Sequence, residues 1–192
     1  NNVLSIIASF PDNEYFLLSK PTNKYVFPNT KTISPQSLWS FFPSIWRNCG
    51  CVKELRDMDV YWGLSGELPF GIHRLPIRKI VTIHDAIFIR YPELYSASYR
   101  ALFARKVQYA CDCADVIIAI SEQTKRDVIK FFHADESKIR VVYQEPARPA
   151  WCPCRRTYLT RRGTCSAVHK PYQVNAKMME MTFITCAGIR LP

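Results

Sequence analysis

The fold is decided by Asp115–Gln144, which reads DVIIAISEQTKRDVIKFFHADESKIRVVYQ. After the leading aspartate, residues through Ile120 form an apolar, β-branched run, as expected of a strand buried on both sides. Ser121 stands where a helix needs a cap. Glu122–Phe132 supplies the helix, with its acid in the first turn, where the helix dipole favours negative charge. Asp135-Glu136-Ser137 turns the chain, and Ile139–Tyr143 is again a strand. Two apolar strands joined through a helix make the crossover unit of a parallel sheet.

Moving toward the amino terminus, the alternation continues. Leu94–Cys113 carries Tyr95, Tyr99, Leu102, Phe103, Val107 and Ala110 at helical spacing, and Lys79–Ile83 (KIVTI) is a short buried strand. Asp59–Trp62 is a strand closed by Gly63, and Glu14–Leu18 is another. Between these, Ser34–Arg56 reads as an aromatic-rich helix interrupted near Pro43, and Pro21–Thr32 as a polar link with a small strand at Lys24–Phe27. Residues 2–10 have helical spacing. The fold class expected is α/β: a Rossmann-like, doubly wound parallel sheet covered by helices on both faces.

The chain has 192 residues, 48% of them hydrophobic, and a formal net charge of +10. No apolar run approaches the roughly 18–20 residues of a membrane span. The charge is uneven: residues 145–192 hold eight Lys/Arg against two Asp/Glu, together with five of the 13 prolines and half of the eight cysteines. That segment shows no sustained period, and only Met178–Ala187 reads as a short strand or helix. It is expected to be an irregular basic tail or the product of a reading-frame shift, leaving 1–144 as the folded domain. The cysteines form three C-x-C pairs but no zinc-ribbon spacing, so no metal site is expected. The first four, Cys49, Cys51, Cys111 and Cys113, read as free buried thiols of a reducing compartment.

In a parallel sheet, ligands bind beyond the carboxyl ends of the strands. Three consecutive strands end there on polar residues: Trp62-Gly63-Leu-Ser65-Gly-Glu67, then His84-Asp85, then Ser121-Glu122 with Thr124 one turn on. His84 either reaches into a ligand site or hydrogen-bonds a neighbouring carbonyl to fix a loop, and Asp85 either serves a site or caps the next turn. Ser121 is a sound cap in any case, and the free amides behind it suit an anion.

DVYWGLSGELPFGI, KIVTIHDAIFIRYPELY and ADVIIAISEQTKRDVIKFFHADESKIRVVYQ, in that order, resemble the amino-terminal domain of the family 4 (group 1) glycosyltransferases, often mannosyltransferases, over about residues 1–144. The resemblance implies one half of a GT-B fold. This half binds a glycan or lipid-linked sugar acceptor, while a carboxyl-terminal half holds a nucleotide sugar such as a GDP- or UDP-hexose. It implies retaining transfer without metal or other cofactor, with basic side chains and helix amides stabilising the leaving diphosphate. His84 would position the transferred sugar and stabilise charge, Asp85 would orient the loop or the imidazole, and Trp62, Gly63, Ser65, Glu67, Ser121, Glu122 and Thr124 would line the substrate. A cytoplasmic location with peripheral contact at the inner membrane face is expected, and nucleic acid is not an expected partner.

Three departures from that pattern stand out. The chain begins inside the helix that should follow the family's first strand, so one sheet position should lie open and the chain should be marginally stable. Trp62 stands where the family carries His. The donor domain is missing, so the chain alone is expected to be inactive. The alternative from the residues is a non-catalytic Rossmann-like module whose basic tail binds nucleic acid or an anionic membrane.

Overall fold

The computed structural model describes residues 7, 9–18, 29–143 and 186–192. Among these the elements run β1 (Glu14–Leu18), β2 (Thr30–Ile33), α1 (Pro43–Asn48), β3 (Val60–Gly63), β4 (Arg78–Ile83), α2 (Ile87–Arg90), α3 (Ala97–Cys113), β5 (Val116–Ala119), α4 (Glu122–Phe132), β6 (Ile139–Val141) and β7 (Cys186–Arg190). The sheet order is β2-β1-β7-β3-β4-β5-β6. β1 pairs in parallel with β2, and β3 to β6 form a parallel run. The Rossmann-like expectation is met.

One strand was not expected. β7 runs antiparallel to both of its neighbours, β1 and β3, in the middle of the sheet. Two corrections follow. The position expected to lie open is filled, and the segment expected to be irregular supplies the strand that fills it. Its sequence, CAGIR, is short, carries a central glycine and shows no clear alternation, a weak strand signal. It overlaps the strand or helix expected at Met178–Ala187 only at Cys186 and Ala187, and the rest of that stretch lies outside the described residues. The small strand expected at Lys24–Phe27 lies outside the described residues, as does most of the expected first helix, of which Ile7 and Ser9 are helical. β2 begins three residues beyond the expected small strand, at Thr30.

Ser34–Arg56 is a relay of short pieces rather than an interrupted long helix: a 3₁₀ turn at Ser37–Phe41, α1, and a second 3₁₀ turn at Gly50–Leu55. Pro43 sits at the start of α1, where its missing N–H is harmless, and therefore opens a new helix instead of continuing one. Trp46, Cys51 and Leu55 turn into the core from this relay, while Leu38, Phe41 and Phe42 stay exposed.

α3 and α4 follow the sequence closely. Ser96 caps α3 by accepting from Tyr99 N–H, and Ser121 caps α4 by accepting from Thr124 N–H. Val107, Ala110 and Cys111 of α3 and Val128 and Phe132 of α4 share one buried cluster with Val81, Ile83, Ile117, Ala119 and Ile139. Burying one such Val, Ile or Phe side chain stabilises by about 1.5–3 kcal/mol. The crossovers from β4 to β5 and from β5 to β6 advance in the same direction with the same hand, which puts both helices on one face. The other face, bearing Trp62, Ile80, Val116 and Ile118, is only half-buried among the described residues.

Candidate functional site at the carboxyl edge of the sheet

Gly63, the last residue of β3, opens the first loop of the rim. The loop folds back tightly: a Cβ on Gly63 would stand 2.2 Å from the Glu67 carbonyl oxygen. Gly66, at φ +74°, lies in the left-handed region that glycine tolerates, and its N–H donates to Thr82 O at 2.9 Å. The fold-back leaves Ser65 exposed at the rim and turns the Leu64 carbonyl toward β4.

His84 follows β4 directly, and its Nε2 meets Leu64 O at 2.8 Å. A carbonyl only accepts, so the proton of this bond resides on Nε2. In the neutral imidazole, Nδ1 is then the acceptor left for a ligand. Of the two readings of His84, the loop-fixing one is thus present, and it orients the ring without consuming both nitrogens. Asp85 accepts from Ile87 N–H at 3.1 Å and so starts α2. Its carboxylate serves the loop, while the imidazole is held by Leu64.

The third segment joins the other two. Thr124, buried in the first turn of α4, donates from Oγ1 to His84 O at 2.9 Å, and its hydroxyl lies 2.9 Å from that of Ser121. Leu64, His84, Thr124 and Ser121 therefore form one continuous hydrogen-bonded path across three strand ends. Glu122 is exposed beside it. The first amides of α4 point along the helix axis toward the rim, a place suited to an anionic group.

The remaining expected residues sit differently. Glu67 pairs with Lys106 of α3 at 3.1 Å, so its charge is largely answered. Trp62 lies on the half-buried face of the sheet, its indole N–H donating to Thr82 Oγ1 at 2.9 Å. It is anchored on the sheet rather than standing free at the rim. Gly63 shapes the loop.

Sequence reasoning used Tyr95, Tyr99 and Phe103 only as helix periodicity. They form a stacked ladder, with centroids 5.4 and 4.2 Å apart. The Tyr99 hydroxyl is pushed up from its ordinary pKa, mainly by burial and then by Tyr95, Asp85 and Glu67. Lys106, which pairs with Glu67, lies 5.5 Å from the Phe103 ring centre, so the ladder stands beside the rim loop. The four-residue spacing of three aromatics was the signal available for it.

A concavity of about 520 Å³ lies between α3, α4 and Phe70 and is lined by none of the rim residues. Among the described residues no group of His, Cys, Asp and Glu could hold a metal ion. Cys51 and Cys111 are buried free thiols as expected, while Cys49 is exposed and Cys113 half-buried, so the expectation of four buried thiols is corrected.

A comparison with protein families matches residues 10–144 to the model described as Glycosyltransferase Family 4. The chain belongs to glycosyltransferase family 4. No curated protein matches closely enough to add to that assignment. In this family 4 glycosyltransferase chain, the match spans the three rim loops and the helices that hold them.

Proposed function

We propose that this chain is the acceptor-binding side of a retaining glycosyltransferase that moves a hexose, mannose-like in kind, from a nucleotide sugar to a glycan or lipid-linked acceptor. The observation that carries the reading is the orientation of His84. Its Nε2 is held by Leu64 O, which leaves Nδ1 to a sugar hydroxyl beside the amino end of α4. In the transfer, the bond from the anomeric carbon to the leaving diphosphate breaks with its electron pair going to the diphosphate oxygen, and the acceptor hydroxyl oxygen bonds to that carbon on the same face and passes its proton to the departing diphosphate. His84 orients the sugar and stabilises the developing charge. The amides of α4 suit an anionic oxygen. A GDP- or UDP-hexose is the donor expected, no cofactor beyond it is invoked, and a donor-binding domain completes the cleft. The 192-residue chain alone is then poorly active.

The experiment is an NMR titration of the isotope-labelled chain with mannosides and other short glycans, paired with a radiolabel transfer assay using GDP- and UDP-hexoses. The proposal expects amide shifts confined to 63–67, 84–85 and 121–124, and transfer near background. Glycans that leave these residues unshifted, or turnover by this chain at about 10 s⁻¹, a typical enzyme rate, would overturn it.

A second observation favours membrane contact. Leu38, Trp39, Phe41, Phe42 and Ile45 are all exposed, and residues 30–53 contain Lys31, Arg47 and Lys53 but no Asp or Glu. Exposed aromatics near the cations Arg47 and Lys53, with Lys31 already paired to Glu14, suit an anionic lipid interface. No helix among the described residues is long and apolar enough to cross a membrane. A peripheral position would bring a lipid-linked acceptor to the rim. Flotation with liposomes containing phosphatidylserine checks this, and Trp39→Ser/Phe42→Ser is expected to reduce binding at least tenfold.

A further inference from the structure

The segment that follows β4 runs as a strap from His84 to Arg90, and α4 holds both of its ends. At the first end, Thr124 Oγ1 donates to His84 O at 2.9 Å. At the other, the Arg90 guanidinium donates to Asp127 Oδ1, which also accepts from Gln123 Nε2 at 2.9 Å. Thr124 and Asp127 are one turn apart on α4, so both grips come from one side of the helix. Between the ends, Asp85 accepts from Ile87 N–H, and Ala86 and Phe88 are buried. α2, which forms the second half of the strap, is a single turn of 4 residues, too short to hold its own shape. Burial of Ala86 and Phe88 sets the depth of the strap, but apolar contact has no direction. Its rotation is set by directed bonds, and α4 supplies one at each end.

Asp127 is buried, whereas the Arg90 side chain keeps 37% of its surface exposed. A carboxylate taken out of water for an ion pair returns little net stability, because desolvation offsets the attraction. What the pair adds is a fixed direction at the far end of the strap. We infer that Asp127 is a positioning residue for His84: by holding Arg90 it fixes how the strap is rotated against α4, and thereby how the His84 ring stands beside the first turn of that helix. His84 is exposed, with one bond from its ring to Leu64 O and one to its carbonyl from Thr124. Two bonds meeting at one residue leave a pivot there, and a released far end would turn about it. The consequence for sugar binding rests on the role proposed for His84; the consequence for the orientation of the ring does not.

The test compares the full wild-type chain with Asp127→Ala, Asp127→Asn and Val128→Ala. Val128, the next residue of α4, is fully buried and controls for lost stability alone. Nitrogen-correlated spectra of the histidine rings report whether the proton stays on Nε2, and titration with a mannoside reports affinity at the rim. Asp127→Ala is expected to shift the His84 ring signals, to mix in the Nδ1–H tautomer and to weaken mannoside binding about tenfold, the worth of one misdirected hydrogen bond. Asp127→Asn keeps an oxygen for Arg90, and should restore the ring signals and bind within about threefold of wild type. Val128→Ala should leave both readouts unchanged. Should Asp127→Ala not fold, Arg90→Ala combined with Asp127→Asn releases the strap without leaving a buried charge and carries the same expectation. Ring signals that stay in place when the strap is released, or that Val128→Ala moves equally, would overturn the inference. If the ring moves but no chain binds the mannoside, wild type included, the positioning role stands and the sugar-binding reading falls.

Discussion

Gly63→Ala couples the fold to the site. The new methyl would lie 2.2 Å from the Glu67 carbonyl oxygen and 3.2 Å from Leu68 Cδ2. The first contact is with backbone, so the loop must retreat by about 1 Å, to the tightest separation that packed carbon and oxygen tolerate. Such a shift breaks the bond from Gly66 N–H to Thr82 O and slackens the one from His84 to Leu64 O. Each is worth about 1 kcal/mol. Leu68, 4% exposed, moves with the loop and loses part of its packing, about another 1 kcal/mol. The expected destabilisation is therefore about 3 kcal/mol, large beside a typical domain stability of about 5–15 kcal/mol. Urea denaturation followed by tryptophan fluorescence measures it, and the His84 ring resonances report the loop directly. Gly71→Ala is the control, since nothing lies within 4 Å of its added methyl and only its left-handed backbone resists, at about 1–2 kcal/mol. If Gly63→Ala cost less than Gly71→Ala and left the His84 signals in place, the account of the rim loop would be wrong.

Asp127 is 5% exposed and accepts from both Arg90 and Gln123. Asp127→Ala should cost about 2 kcal/mol in denaturant midpoint analysis, less than the 3–5 of a fully buried pair because Arg90 keeps contact with solvent. His84→Ala should cost about 1 kcal/mol by freeing Leu64 O, and His84→Gln, which keeps a donor there, should restore that stability without restoring glycan-induced shifts at the rim. Burial pushes the Cys111 thiol from its ordinary value near 9 up to about 12. The folded state thus holds this proton more tightly than the unfolded chain does. Its contribution is intact below about pH 9 and is lost from there toward 12, by about 1.4 kcal/mol per pH unit. Cys111→Ala should remove that slope from a stability-against-pH series. Alkylation and peptide mapping at pH 8 should find Cys49 modified and Cys111 protected until the chain unfolds.

The sequence by itself determined every part whose cause is local. The crossover unit from Val116 to Val141 follows from β-branched runs, a serine cap and a 3.6-residue period, all set by neighbours within a turn or two. The candidate rim was legible for the same reason: a polar residue after a buried strand must stand at the strand's end, and three such strands were visible in Gly63, His84 and Ser121. Tertiary structure alone decided how these ends meet. That His84 bonds Leu64 and receives Thr124, that Glu67 turns away to Lys106, and that Trp62 settles on the sheet face all depend on which strands lie side by side. Cys186–Arg190 is the extreme case. A five-residue segment with a central glycine has no period of its own to declare it a strand, and its partners lie more than a hundred residues away. It becomes one because two strand edges need hydrogen bonds, and buried backbone groups are costly to leave unpaired.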